Sequence, residues 1–318
     1  MKIIVTGALG HIGSRVVREL PGIFPGSEII MIDNLLTQRY ASLFDLPVDG
    51  NYRFHQSDIL TADLIPVFNG ADAVLHLAAI TDATRSFHNR EQLEAVNYQG
   101  TIKVAKACRE LGCPMIHLSS TSVYGTQKEV VAEDCSSEDL KPQSPYAESK
   151  LKEENYLRTL GSDGQFRFVI FRFGTICGTS PGMRFHTAIN KFCWQAVMGQ
   201  PLTVWTTAKN QKRPYLALSD AIGAIAYFMK NNLYDQGIYN VLTDNLTVNS
   251  IIETIGQLIP QIQIQYVDSE VMNQLSYEVS SRKVFQAGFE SSGSIRENII
   301  ETINLFRLGQ LENVSKPV

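Results

Sequence analysis

Apolar and polar positions along this chain follow two alternating rhythms. Short runs that are nearly continuous in Ile, Val, Leu and Phe recur at KIIVTG (2 to 7), EIIMID (28 to 33), ADAVLHLAA (71 to 79), PMIHLSS (114 to 120) and FRFVIFRFG (166 to 174). Each predicts a strand buried on both faces. Between them, segments such as IGSRVVREL and AVNYQGTIKVAKACRELG place apolar residues three and four apart, the helical period, with Gly112 as a stop. Strands joined by helices predict a parallel sheet covered on both sides, the doubly wound α/β class, whose ligands bind beyond the carboxyl ends of the strands. From about Thr175 the alternation breaks: GTSPGMRF reads as a loop, AINKFCWQAVMGQ as a helix and PLTVWTT as a short strand.

Composition narrows the class. A chain of 318 residues suits one large α/β unit or a cofactor domain with a smaller partner. The formal net charge of −4 and the scattered Lys and Arg argue against nucleic acid as a partner. The five cysteines, Cys108, Cys113, Cys135, Cys177 and Cys193, are odd in number and lack metal-site spacing, so free thiols in a reducing compartment and no metal site are expected. Lys2 leads straight into a strand, not a signal-peptide plan, and no apolar run approaches the roughly 20 residues of a membrane span. A cytoplasmic protein without membrane attachment is the expectation.

Three stretches carry candidate chemistry. In TGALGHIGS, Gly7, Gly10 and Gly13 stand three apart at a strand-to-helix turn, where any Cβ would hold a dinucleotide pyrophosphate away from the helix N-terminus. A glycine-rich turn without a ligand is the alternative; the strand before it, the helix after it and Asp33 twenty residues beyond Gly13 favour the ligand. An acid at Asp33 accepts hydrogen bonds from ribose hydroxyls and repels a 2′-phosphate, which favours NAD over NADP; a turn or cap residue is the other reading. In PYAESK, Tyr146 and Lys150 share one helical face, so the ammonium can stabilise a phenolate and make the tyrosine an acid/base; an exposed Tyr beside a solvated Lys is the plainer reading. In SSTSVYG (119 to 125), four hydroxyls follow a strand, either as a polar turn or with one aimed at a substrate.

Taken jointly, TGALGHIG, DNLLTQR, SDIL, HLAA, VNYQGT, SSTSVYG and PYAESK resemble the extended short-chain dehydrogenase/reductases, in their nucleotide-sugar epimerase/dehydratase branch, from Met1 to about Phe306. The resemblance implies a Rossmann-type cofactor domain over 1–174. A smaller α/β substrate domain would be formed mainly by 175–318, with the strand and helix near 213–243 returning to the first. It implies that Gly7, Gly10, His11, Ile12 and Gly13 hold the pyrophosphate of NAD and that Asp33, Asn34 and Leu35 hold the adenosine. Asp58 and Ile59 would flank the adenine, while Leu77, Ala78, Ala79, Asn97, Ser119 and Phe173 would complete the cofactor path. Ser120, Tyr146 and Lys150 would be catalytic, the last two also touching the cofactor. Thr81, Ser120, Thr121, Thr175, Arg184, Asn190 and Arg213 would face a nucleotide-diphosphate sugar. A homodimer joined through helices of the cofactor domain is implied as well.

The same resemblance frames the reaction. Tyr146, helped by Ser120, would take a proton from a sugar hydroxyl as the carbon beneath gives a hydride to NAD, leaving a keto sugar. The family's dehydratases carry Asp and Glu, or a lone Glu, directly after the catalytic hydroxyl, and its decarboxylases also usually carry a Glu in this turn. Thr121 and Ser122 stand there instead, and neither hydroxyl is an acid or base near neutral pH. The expected activity is therefore epimerisation, foremost at C4 through a transient 4-keto sugar. A 4,6-dehydratase, a decarboxylase and an NAD(P)H-linked keto-sugar reductase are the alternatives. Three departures concern the substrate side: Thr175 replaces the family's usual Asn, Cys177 reads as a core thiol, and Val279 stands in SYEVSSRKVFQAGF where the family has Asp.

Overall fold

The computed structural model describes residues 1–83, 85–125, 129–268 and 276–309. The first half runs β1 (Lys2–Thr6), α1 (His11–Ile23), β2 (Glu28–Asp33), β3 (Asn51–Gln56), α2 (Ile65–Phe68), β4 (Ala73–His76), α3 (Arg90–Leu93), α4 (Gly100–Leu111), β5 (Met115–Ser120), β6 (Val130–Val131), α5 (Pro145–Leu160) and β7 (Phe168–Phe173). The second half adds β8 (Thr175–Cys177), α6 (Ala188–Val197), β9 (Leu202–Trp205), β10 (Lys212–Ala217), α7 (Leu218–Lys230), β11 (Ile238–Val241), β12 (Asp244–Thr247) and α8 (Val248–Leu258). It closes with β13 (Ile264–Val267), β14 (Glu278–Val279), α9 (Arg282–Gln286) and α10 (Ile295–Arg307).

Seven parallel strands form the main sheet in the order β3-β2-β1-β4-β5-β7-β11. The near-continuous apolar strands are buried throughout, as a sheet covered on both faces requires. On one face Val16, Val17 and Leu20 of α1 pack with Ala221, Ile225 and Phe228 of α7. On the other, Phe68, Val104, Cys108 and Leu157 bring in α2, α4 and α5. Strand order reverses between β1 and β4, and at such a switch point the flanking loops part to leave a crevice.

A smaller body sits over that crevice. Its sheet β12-β10-β8 packs against α6, α8 and α10 around Ile189, Phe192, Ile251, Ile255, Ile299 and Ile303. Helix α7 and strand β11 lie with the main sheet, whereas in β10 Tyr215 to Ala217 pair with Thr175 to Cys177 of β8. The edge strand β3 escaped the pattern because NYRFHQ leaves its polar side chains half-buried or exposed and has no apolar stripe to read. Four of the five cysteines are buried free thiols and Cys135 is half-buried. Burial first, then Cys193 and Asp220, push the Cys177 thiol far up, so it is a core residue and not a nucleophile.

Candidate active site

The β1–α1 turn is built as tightly as its glycines allow. Gly7 holds φ +67, and a Cβ there would lie 2.6 Å from the Ala78 nitrogen. At Gly13 a Cβ would lie 2.3 Å from the Gly7 carbonyl oxygen, so neither position admits a side chain. Helix α1 then starts at Gly10 with no side-chain cap and no acidic residue in its first turn, leaving the positive end of its dipole to an anion. Asp33, at the end of β2, accepts from the Leu9 amide at 3.0 Å and the Leu35 amide at 2.9 Å, one on each oxygen. Each oxygen keeps lone-pair capacity for a ribose hydroxyl. Leu35 is held at φ +58, and Asn34 donates to Asp58 at 3.0 Å, tying the ends of the second and third strands together. Ile59 packs on Gly100, where a Cβ would meet it at 2.7 Å. These residues fit a dinucleotide with its pyrophosphate on α1 and its ribose on Asp33.

Ser120, Tyr146, Lys150, Phe173, Thr175, Arg184 and Arg213 line one cavity of about 400 Å³. Ser120 ends β5, where its Oγ accepts from the Ser122 amide at 3.1 Å and from Ser122 Oγ at 2.9 Å. That leaves the Ser120 proton for another acceptor. Helix α5 begins where Ser144 Oγ accepts from the Ala147 amide at 3.2 Å with Pro145 in its first turn, so Tyr146 and Lys150 stand on one face. Lys150 is buried and donates to Glu153 at 2.8 Å. Burial works to lower its pKa, yet Glu153 above all, then Tyr146 and Glu154, hold it above the ordinary lysine value.

The substrate side is made of side chains on a folded-back loop. Gly182 packs on the glycine turn so closely that a Cβ would lie 2.3 Å from the Leu9 carbonyl, and its amide donates to Ser14 Oγ at 2.9 Å. His11 Nε2 donates to the Gly178 carbonyl at 2.9 Å, joining α1 to this loop; burial first and then Arg184 lower its pKa to about 3. Arg184 donates to Thr81 Oγ1 at 2.6 Å, and among the described residues its buried Nε has no hydrogen-bond partner, nor has Thr187 Oγ1. Buried donors of this kind are normally paired, so both suit an anionic or hydroxylated ligand. Arg213 lies over the Tyr277 ring at 5.4 Å and donates to Gln211 at 2.9 Å.

Several expected site residues carry structural hydrogen bonds, and of these Ser119 also lines the cavity. Asn190 is fully buried, accepts from the Gly178 amide at 3.3 Å and donates to the Arg184 carbonyl at 3.1 Å, so it shapes the loop instead of facing the cavity. Thr121 donates to the Phe173 carbonyl at 3.3 Å, turned away from the cavity that Ser122 lines. Ser119 donates to buried Glu154, which also holds Arg172 through two bonds at 2.9 and 2.7 Å. Asn97 clamps Ile80 by both ends of its amide, at 2.7 and 3.0 Å, from a π-helical turn over Glu94–Gln99. Sequence reasoning passed over Ser122, His186, Lys191 and Asp82 in the cavity wall and Glu153 beneath it. Only Ser122 carried a signal, its place in the hydroxyl run. Among the described residues there is no cluster that could hold a metal ion and no helix long and apolar enough to cross a membrane.

Comparison with known proteins identifies the family and supports the fold. The family model described as NAD dependent epimerase/dehydratase family matches residues 3–241. An uncharacterized UDP-glucose epimerase of Bacillus subtilis (strain 168) is 32% identical over 234 residues, 71% of this chain and 71% of that protein. A trifunctional UDP-glucose 4,6-dehydratase/UDP-4-keto-6-deoxy-D-glucose 3,5-epimerase/UDP-4-keto-L-rhamnose-reductase of Arabidopsis thaliana is 26% identical over 96% of this chain, which spans only 46% of that protein. Among solved structures, a UDP-glucuronic acid 4-epimerase from Bacillus cereus in complex with UDP-glucuronic acid and NAD superposes with a TM-score of 0.84. It is 24% identical and covers 98% of this chain and 100% of its own.

Proposed function

Because the chain belongs to the NAD dependent epimerase/dehydratase family and takes NAD as its cofactor, we propose that it is a nucleotide-sugar 4-epimerase working through a transient 4-keto sugar. When bound, NAD supplies the acceptor and later the donor of a hydride at the sugar carbon. Tyr146 removes the C4 hydroxyl proton, with Ser120 hydrogen-bonded to the same oxygen. Lys150 holds the nicotinamide ribose and keeps positive charge beside the tyrosine. Arg184 and Arg213 hold the diphosphate or sugar by forked hydrogen bonds. Turning the keto sugar before the hydride returns inverts C4.

The observation that carries this reading over dehydration is the turn after β5. Its two residues beyond Ser120 bring hydroxyls, one bonded to Ser120 and one to the Phe173 carbonyl, where elimination of water needs an acid and a base. Among the described residues lining the cavity, Asp82 is the single carboxylate. The similarity to 4,6-dehydratases makes that reaction the second reading. NAD-loaded protein incubated with UDP-, dTDP-, GDP- and CDP-sugars and followed by NMR decides between them. A C4 epimer formed with no net cofactor use supports the proposal, whereas loss of water or CO2, or stoichiometric cofactor consumption, overturns it.

A further inference from the structure

Beneath the cavity lies a set of buried groups that neither the cofactor cradle nor the substrate loop uses. Glu153, fully buried, stands on α5 one turn after Lys150. Its Oε2 accepts from Lys150 Nζ at 2.8 Å and from Thr101 Oγ1 of α4 at 3.3 Å, and its Oε1 accepts from Ser149 Oγ at 2.9 Å. From the sheet, His117 on β5 brings Nε2 to 3.2 Å without the angle of a hydrogen bond. His76 on β4 stacks on His117 at 5.8 Å between ring centroids, with its own nitrogens on Thr101 at 3.1 Å and Thr6 at 2.8 Å. The neighbouring Glu154 is already held by Arg172 and Ser119.

Three cations could balance Glu153, and the geometry selects one. Lys150 makes a directed bond; His117 makes none, and His76 is occupied by two hydroxyls. Burial also pushes both imidazoles below the ordinary histidine range, His76 furthest, so they stay neutral near pH 7. An ammonium shut away from water without a counter-ion gives up its proton. We propose that Glu153 is a positioning residue: paired with Lys150 inside the protein, it keeps that side chain charged and fixed toward the cavity. The proposal rests on the reading of Lys150 as the holder of the nicotinamide ribose. Burial would raise the Glu153 carboxyl, but the Lys150 ammonium above all outweighs it and holds it at about 2, so the pair persists across the working range.

The test follows Lys150 directly by NMR of ε-¹³C-lysine protein, assigned with Lys150→Arg, in wild type, Glu153→Gln and Glu153→Asp. Lys150 should lose its proton at least about one pH unit lower in Glu153→Gln, a tenfold change in its equilibrium, with Glu153→Asp between. NAD affinity, measured by calorimetry, should begin to fall with rising pH at least about one pH unit earlier in Glu153→Gln than in wild type. A purely structural role would lower Tm and leave both profiles superimposed on wild type, which overturns the proposal. So would a His117 imidazolium at neutral pH in wild-type protein, seen by histidine NMR, a reading that needs no variant to fold. Neither readout uses a sugar, so absence of epimerisation with both profiles as expected would refute the reaction and not the role of Glu153.

Discussion

At the β1–α1 turn this protein builds its site from backbone, whereas between Gly178 and Arg213 it builds it from side chains. Gly7 and Gly13 leave no room for a Cβ, and the amides of Leu9 and Leu35 fix Asp33, so the proposed cofactor cradle is set by main-chain geometry. The opposing wall depends on Arg184, Arg213 and a loop pinned by His11, Ser14 and Asn190. A backbone cradle suits one cofactor, while a wall of side chains on loops can be retuned for different sugars. The hydroxyls of Ser120 and Tyr146, proposed as catalytic, line the cavity where the two meet.

Changes at that junction should have the largest effect. Tyr146→Phe removes the acid/base and should lower turnover at least about 10²-fold with NAD still bound, measured by product NMR and cofactor calorimetry. Near-normal turnover would break the mechanism. On the backbone side, Gly13→Ala forces a Cβ against the Gly7 carbonyl and should cost about 1–3 kcal/mol, read as a lower denaturation midpoint together with weaker NAD binding. On the side-chain side, Arg213→Ala should raise KM for the nucleotide sugar about tenfold through loss of a charged hydrogen bond and leave NAD affinity unchanged. If it weakens NAD instead, the division between the two walls is wrong.

The smallest effect lies in the seam. His11 is held near 3 in the fold against about 6.5 unfolded, so the unfolded chain binds the extra proton. Its contribution to stability is present above about pH 6.5 and is lost as pH falls from there toward 3. Between about pH 7 and about pH 6 that amounts to about 0.7 kcal/mol, which should vanish in His11→Gln when unfolding midpoints are compared at the two pH values. An unchanged slope in the variant would show that His11 is not buried neutral.

The contrast also explains how much could be read beforehand. Gly7, Gly13, Asp33 and the strand ends were legible because a strand followed by a glycine turn dictates its own geometry. Ser120, Tyr146 and Lys150 were legible because they hang from the end of a strand and one face of a helix. Asn190 and Thr121 were not, since which way such a side chain turns depends on packing that no local pattern records: Asn190 is satisfied by backbone of the loop it supports and Thr121 by the carbonyl that ends β7. Glu153 was invisible for the opposite reason. In KLKEENY it looks like part of a solvated helical face, yet the sheet and α4 close over it. The edge strand β3 lacked an apolar stripe, and β10 paired with β8 because the substrate body needs a sheet of its own.

The most direct measurement uses a nucleotide sugar deuterated at C4, incubated in ordinary water with NAD-loaded protein and no added cofactor. The label should be found on C4 of the inverted sugar, because the same hydride leaves and returns. Deuterium recovered at C6 with loss of water, or exchanged into solvent, would contradict epimerisation at this site.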